Sequence, residues 1–416
     1  MSGGQGVGYF ELLRRRPAFG KLWLAEVSSL AGDWFTLIAL YSLLLEYTGS
    51  GESVGLMLAT RFLPSAIFGP ISGVAADRLP RKWILVACDL GRALAVLGFV
   101  FVRSADQVWL IYALVFAQMS LSAFFEPCEA ASIASVVERD ELVAANTLVG
   151  ATWSAMLSVG AVTGGVVVAF VGRDAAFAVD AASYLISALL ISRAALPPRA
   201  AAAASEEPLL RRTANDLKLA AGLLVHDAQV RRILLVKSGW AISGGGAILL
   251  YAVLGDREFP IAGSGTAGIG VLLATRGIGA LSGPLLARRF GGDDPRWLER
   301  AITIAFVLTA VFYVAFAFSP SLPLAAAMLC IAHAGISTQW TFSSSLIALT
   351  VNEQMRGRAF ALDAMMYTLL MATSSWATGA AMDRFGIPPR TLMAGLGVIL
   401  LLPLAVWLLG AKRRAP

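Results

Sequence analysis

The sequence predicts an all-α membrane protein, with twelve transmembrane helices arranged as two six-helix bundles. Three observations carry that prediction. First, the chain is 57% hydrophobic and 14% charged at a mean hydropathy of +0.72, whereas soluble domains carry about 25% charged residues. That balance excludes a soluble domain and a disordered chain, and three cysteines in 416 residues exclude a disulfide scaffold. Second, the apolar residues form continuous runs rather than an alternation, which excludes a transmembrane β-barrel. Twelve of these runs reach the roughly 20 residues that a bilayer span requires. Third, the later six runs read as a copy of the earlier six.

The first run, Leu22–Leu45, follows an arm carrying Arg14, Arg15 and Arg16. It is span-length and has no small-residue cleavage site, so it is expected to be a retained helix rather than a signal peptide. Val54–Ala76, Trp83–Val102, Val108–Val137, Thr147–Val171 and Ala175–Ile191 complete the first six. Arg193 to Arg232 is the long hydrophilic break, with Pro197-Pro198, an alanine run and a surface helix expected near Thr213–His226. Ile233–Leu254, Gly268–Ala287, Ala301–Phe318, Leu322–Thr350, Phe360–Met382 and Thr391–Leu409 follow. The expected organisation is thus an N-terminal bundle at 1–192, a cytoplasmic linker with an amphipathic helix at 193–231, and a C-terminal bundle at 232–416. Leu58-Ala59-Thr60-Arg61 recurs as Leu273-Ala274-Thr275-Arg276, an offset of 215, and Gly69-Pro70 recurs as Gly283-Pro284. The agreement of this offset with the six-plus-six count makes a short match informative.

Basic residues set the orientation. With the N-terminus inside, 25 of the 33 Lys and Arg residues fall on the cytoplasmic side, Lys237 counted with the central loop, and five outside, with Arg61, Arg92 and Arg276 inside spans. Both termini are therefore expected in the cytoplasm, and the net charge of +6 is a topology signal rather than a nucleic-acid footprint. Cys88, Cys128 and Cys330 lie in apolar runs and read as small core residues. With only His226 and His333 available, no metal cluster is expected. No phosphate-binding Gly-rich loop ending in Lys-Ser/Thr is present, so ATP is not expected to drive the chain, and no cofactor is implied.

The loop after the second span reads Gly73-Val-Ala-Ala-Asp77-Arg78-Leu-Pro80-Arg81-Lys82. It resembles the G-x-x-x-D-R-x-G-R-[RK] signature of the major facilitator superfamily of secondary transporters, with Pro80 in place of the usual Gly. In the second half the cognate stretch ends Ala287-Arg288-Arg289, without the Asp. Ser28-Ser29, Gly32-Asp33, Tyr47-Thr48-Gly49-Ser50, Arg61-Phe-Leu-Pro64, Asp89-Leu-Gly-Arg92 and Ala144-Ala145-Asn146 are similar to a bacterial exporter branch. That branch includes the enterobactin exporter and macrolide efflux proteins. The resemblance implies a parallel pair of six-helix repeats and export of a mid-sized amphiphile driven by protons. Span five has Gly160-Ala161-Val-Thr-Gly164-Gly165 where many drug/proton antiporters carry Gly-Pro-x-x-Gly-Gly. In this reading Gly73, Asp77, Arg78, Arg81 and Lys82 form a charged latch at the cytoplasmic edge that holds the outward-open state.

A charge at the bilayer centre costs at least about 2.5–3.5 kcal/mol, so each needs a partner or a job. Glu26 and Asp33 are seven residues apart on one face of span one. Asp33 is expected near mid-membrane, with Arg61 about 8 Å away in depth at 1.5 Å per residue. An Asp33–Arg61 pair is the preferred reading, either static or broken when Asp33 is protonated. Glu126, beside Pro127, either pairs with Arg92 or faces the cavity as a proton carrier or cation contact. Asp89, Arg92, Arg276 and Asp363 are assigned to a supporting charge network, Asp180 to structure. His333, Ser337, Thr341 and Ser344 form a polar stripe on span ten with Trp340 beside it, a candidate for substrate or proton handling. Gly244-Gly245-Gly246 suggests a locally unwound gate element.

The function expected is proton-coupled export of drugs or amphiphilic secondary metabolites by alternating access, in a bacterial inner membrane. The partners expected are a small amphiphile, protons and lipid, with no nucleic acid and the chain a monomer. A facilitator, importer or lysophospholipid flippase of the same fold is the alternative, ahead of a non-transporting receptor or an enzyme.

Overall fold

The structure is a computed structural model that describes residues 9–138, 141–197, 209–292 and 294–412. A short helix, α1 (Tyr9–Arg15), leads into α2 (Pro17–Thr48), whose Pro17 occupies the first turn where a missing N–H costs nothing. Gly49 closes α2 at φ +60°, the left-handed conformation that favours glycine. Then come α3 (Gly51–Arg78), α4 (Arg81–Gly98), α5 (Val108–Val136), α6 (Leu142–Phe170) and α7 (Arg173–Ser192). The linker helix α8 (Leu209–His226) is followed by α9 (Ala228–Arg257), capped by Asp227, which accepts from the N–H groups of Gln229 and Val230 at 2.9 and 3.0 Å. The remaining helices are α10 (Gly265–Gly291), α11 (Pro295–Ala317), α12 (Leu322–Thr350), α13 (Glu353–Phe385), α14 (Pro389–Ile399) and α15 (Leu401–Lys412). The last two together make one span, Pro389–Gly410.

Ten spans are each long and apolar enough to cross a bilayer by length and composition. The two further long helices, α3 and α13, are 28 and 33 residues long. They pack against each other, and α6 packs against α10, so these two pairs form the seam between the bundles. Each of the twelve expected spans coincides with a helix or, at the end, a helix pair. This is a multi-pass membrane protein with the twelve-helix fold.

In the N-terminal bundle α2 packs chiefly on α7 and α6 rather than on its sequence neighbour α3. In the other, α11 packs on α12 and α14, and α9 on α13. Between α6 and α10, a Cβ added at Gly165 would lie 3.3 Å from the Cα of Gly270, so the two backbones are nearly in contact. The glycine run at Gly244 to Gly246 does not unwind. It is buried inside a continuous α9, where the Gly246 N–H donates to the Ser374 Oγ at 3.1 Å and a Cβ at Gly244 would meet Trp240. Those glycines serve close packing on α13, which corrects the expectation of a pliable break.

Candidate functional site

A cavity of about 590 Å³ lies between the bundles. Phe62 and Ser65 of α3, Glu126 and Pro127 of α5, and Trp153 of α6 line it from one side; Trp240, Arg276, His333, Ser337, Trp340 and Tyr367 line it from the other. Pro127 lies inside α5 and removes one backbone donor there. Glu126, beside it, opens into the cavity, which decides between the two positions considered for it.

Behind that wall the N-terminal bundle stores carboxylates. Asp33 accepts a hydrogen bond from the Tyr184 hydroxyl at 2.5 Å and a longer one from Gln118 Nε2 at 3.4 Å. Gln118 also donates to the Tyr184 oxygen at 3.0 Å. The expected Asp33–Arg61 pair is absent among the described residues, because Asp33 faces α7 and α5 and not α3. Arg92 instead forms an ion pair with Asp89, one helical turn away, and Ser187 donates to the second Asp89 oxygen at 2.7 Å. The Arg92 guanidinium is sandwiched by the rings of Phe125 and Tyr184, 4.0 and 4.5 Å from their centroids. Glu26 is buried, and Glu129 is its electrostatic neighbour; each has one carboxylate oxygen without a hydrogen-bond partner. Asp180 is fully buried, and Ser183 bonds to it.

The C-terminal bundle is aromatic where the other is acidic. The Tyr251 hydroxyl lies 3.3 Å from His333 Nε2 and donates to the Tyr313 oxygen at 2.9 Å, and Trp240 Nε1 reaches Tyr313 at 3.5 Å. The polar stripe of span ten divides: His333, Ser337 and Trp340 border the cavity, whereas Thr341 is exposed away from it. The Ser337 hydroxyl is already given to the Ala280 carbonyl at 2.7 Å. Lys237 and Asp363 join α9 to α13 through a 2.6 Å ion pair whose side chains are 5% and 2% exposed. Lys237 Nζ also sits 4.9 Å over the Trp340 ring. Lys237 is thus a buried partner and not one of the linker cations, and Asp363 is an interior charge rather than part of an edge network.

One end of the molecule is sealed across the bundles. Asp383, near the end of α13, accepts from Ser50 Oγ at 2.6 Å, from the Gly51 N–H at 3.2 Å and from the Glu52 N–H at 2.7 Å. A carboxylate of one bundle thereby caps the first turn of α3 in the other. Arg384 grips Glu52 bidentately, and Arg257 donates to the Gly49 carbonyl at 2.7 Å. Gly379 permits this approach, since a Cβ there would lie 2.7 Å from the Glu52 Cα.

The opposite end carries the chain termini and the linker. Here Arg81 and Lys82 donate to the carbonyls of Ala131 and Ala194, both at 3.1 Å, inside their own bundle. The side chains of Gly73, Asp77 and Arg78 lie outside the described residues, and the expected latch with them. Arg16 bonds Glu141 at 2.8 Å and pairs with Glu138. The Glu138 N–H and the Arg16 guanidinium hold the Glu141 carboxyl below the usual carboxylate range.

Two six-helix bundles around a central cavity define a major facilitator transporter. A crystal structure of a bacterial homologue of the lysosomal transporter Spinster, inward-facing and unoccupied, superposes with a TM-score of 0.74 over 99% of this chain and 98% of that one, at 15% identity. Residues 11–412 match the family described as transmembrane secretion effector, and the chain belongs to that family. Macrolide efflux protein A of Streptococcus pyogenes is 23% identical over 386 residues, 92% of this chain and 93% of that one. A proposed bacilysin exporter of Bacillus subtilis is 26% identical over 302 residues, 71% and 72% of the two chains. The protein is therefore a membrane transporter with relatives named as exporters, and not an enzyme.

Tyr184, Gln118, Tyr251, Tyr313, Lys237 and the Asp383 seal escape the sequence reading. For the seal, a signal exists: Gly379-Ala-Ala-Met-Asp383-Arg384-Phe-Gly386 has the spacing of Gly73-Val-Ala-Ala-Asp77-Arg78-Leu-Pro80.

Proposed function

We propose that this transporter is a proton-coupled exporter of partly apolar compounds, seated in a bacterial cytoplasmic membrane with both termini and the linker inside. The observation that supports it most directly is a cavity between the bundles together with the ties across them, among the described residues, at the Asp383 end. Its lining residues lie at mid-helix and toward the terminal end, so the sealed end is the extracellular one and the cavity faces the cytoplasm. A compound entering from inside is released when the Asp383 seal opens and the bundles rock to the other closure. Aromatic walls and the adaptable thioethers of Met365 and Met371 suit an amphiphile.

Proton coupling is assigned to the N-terminal bundle, with Asp33 the carrier. Among the described residues the buried Arg92 guanidinium lies within electrostatic range of Asp33, Asp89, Glu129 and Asp180, and Glu26 neighbours Glu129. Burial of uncompensated charge is costly, so a change in the proton content of this cluster alters how stable each closure is. Tyr184 and Gln118 connect Asp33 on α2 to α7 and α5, and a proton on Asp33 rearranges those bonds. The test is transport by purified protein in liposomes with an acidic lumen. Radiolabelled erythromycin should accumulate and run down when a protonophore collapses the gradient. Accumulation indifferent to the protonophore would overturn coupling, and no movement in either direction would overturn the export reading.

A further inference from the structure

Two charges on the cavity wall have no partner. Among the described residues, neither the Glu126 carboxylate, from α5, nor the Arg276 guanidinium, from α10, forms a hydrogen bond or an ion pair. Other interior charges are answered: Asp89 by Arg92, Lys237 by Asp363, Asp33 by Tyr184. Arg276 Nε is buried with nothing to donate to, and the guanidinium lies 5.8 Å from the Tyr251 ring centroid, a weak substitute for an anion. Beside it the Tyr41 hydroxyl is buried without a partner, within electrostatic range of both Arg276 and Arg61. Those arginines occupy matching positions of the internal repeat, so both bundles contribute positive potential to one place. Glu126 lines the same cavity from the first bundle.

An unpaired carboxylate and an unpaired guanidinium in a low-dielectric cavity are costly unless a ligand supplies both counter-charges. We infer that the cavity recognises a zwitterion: an amine against Glu126, a carboxylate against Arg276, and an apolar or aromatic body against Trp240, Trp340 and Phe62. Arg presents a planar fork that matches a carboxylate bidentately, which a lysine there would not. Because Glu126 belongs to one bundle and Arg276 to the other, such a molecule spans the seam and binds both halves at once. This inference rests on the reading of the cavity as the substrate site.

The test uses four forms of one dipeptide, alanyl-phenylalanine, binding to the full-length protein in lipid nanodiscs. They are the free zwitterion, the N-acetyl anion, the amide cation and the doubly blocked neutral form. In the wild type, blocking either end should weaken binding at least tenfold. In Glu126→Gln the acetyl group should carry no further penalty, and in Arg276→Gln the amide should carry none. Arg276→Lys, which keeps the charge, should restore part of the carboxylate preference and guards against a merely misfolded variant. Equal affinity for all four forms, or penalties that persist unchanged in the variants, overturns zwitterion recognition. Failure of all four to bind overturns it as well. The export reading is judged separately, by proton-driven erythromycin accumulation, so either can fail alone.

Discussion

The two bundles share a short internal sequence match yet carry different side chains in their interiors. The first holds Glu26, Asp33, Asp89, Glu129 and Asp180 in its interior around a single buried guanidinium. The second holds Asp363 already neutralised by Lys237, with a chain of phenols, an indole and an imidazole in place of acids. Similar helix geometry therefore accommodates a half crowded with acids and a quieter half whose Asp363 is neutralised and whose Arg276 faces the cavity. In the function proposed above, the division gives proton coupling to the interior of one bundle, whereas both bundles contribute walls to the cavity.

The strongest way to break this contrast is Asp33→Asn. It should lower pH-driven accumulation at least about a hundredfold, as expected for removal of an essential proton-transfer group, while substrate exchange without a gradient continues. Accumulation at the normal rate would move the carrier elsewhere in the acidic bundle, with Glu126→Gln the next variant to measure. Asp363→Asn, in the quiet bundle, should instead act on stability. Removing one partner of a buried pair costs about 3–5 kcal/mol, and replacing both by apolar residues is close to neutral. A melting curve in detergent should fall for Asp363→Asn and recover in the Lys237→Met/Asp363→Leu double variant; a single variant as stable as wild type would deny the pair its role.

A smaller effect is expected at the seams between the halves. Asp383→Asn weakens bonds to a charged acceptor, each worth about 1.5–3 kcal/mol, and should increase labelling of cysteines placed at the sealed end. Asp77→Asn, if its loop latches the other closure, should decrease that labelling. Equal shifts in one direction would remove the opposition between the two ends. The smallest effect concerns Glu141. Its carboxyl is held below the usual range by Glu138 and Arg16, so its contribution is complete at neutral pH and fades as pH drops through the lowered value. The stability difference between wild type and Glu141→Gln should accordingly be present at pH 7 and close in acid; a gap that widens in acid would reverse the sign.

Much of the architecture was legible in the sequence, because span length and apolar continuity are dictated by the bilayer. Partner choice was not. Pairing Asp33 with Arg61 assumed that consecutive antiparallel helices are neighbours, whereas α2 lies against α7 and reaches Tyr184 instead. Lys237 was counted with the linker because it follows a basic run, although α9 begins at Ala228 and carries it well inside. His333 and Ser337 border the cavity, but helical period alone does not tell a cavity face from the exposed side on which Thr341 sits. Six-helix bundles in which neighbours in space are not neighbours in sequence defeat that inference for any interior charge.

The contact of Gly165 with Gly270 bears on how fast the protein turns over. Interlocked side chains act as cogs: they must be lifted clear before two helices can slide or roll. Where α6 meets α10, the surfaces are nearly bare backbone, and few cogs stand in the way. In the alternating-access reading proposed above, the halves pivot there with little friction, and the bonds at the sealed end are what must be undone. A single bulky residue at this bearing would leave affinity and coupling intact and appear as lost speed alone.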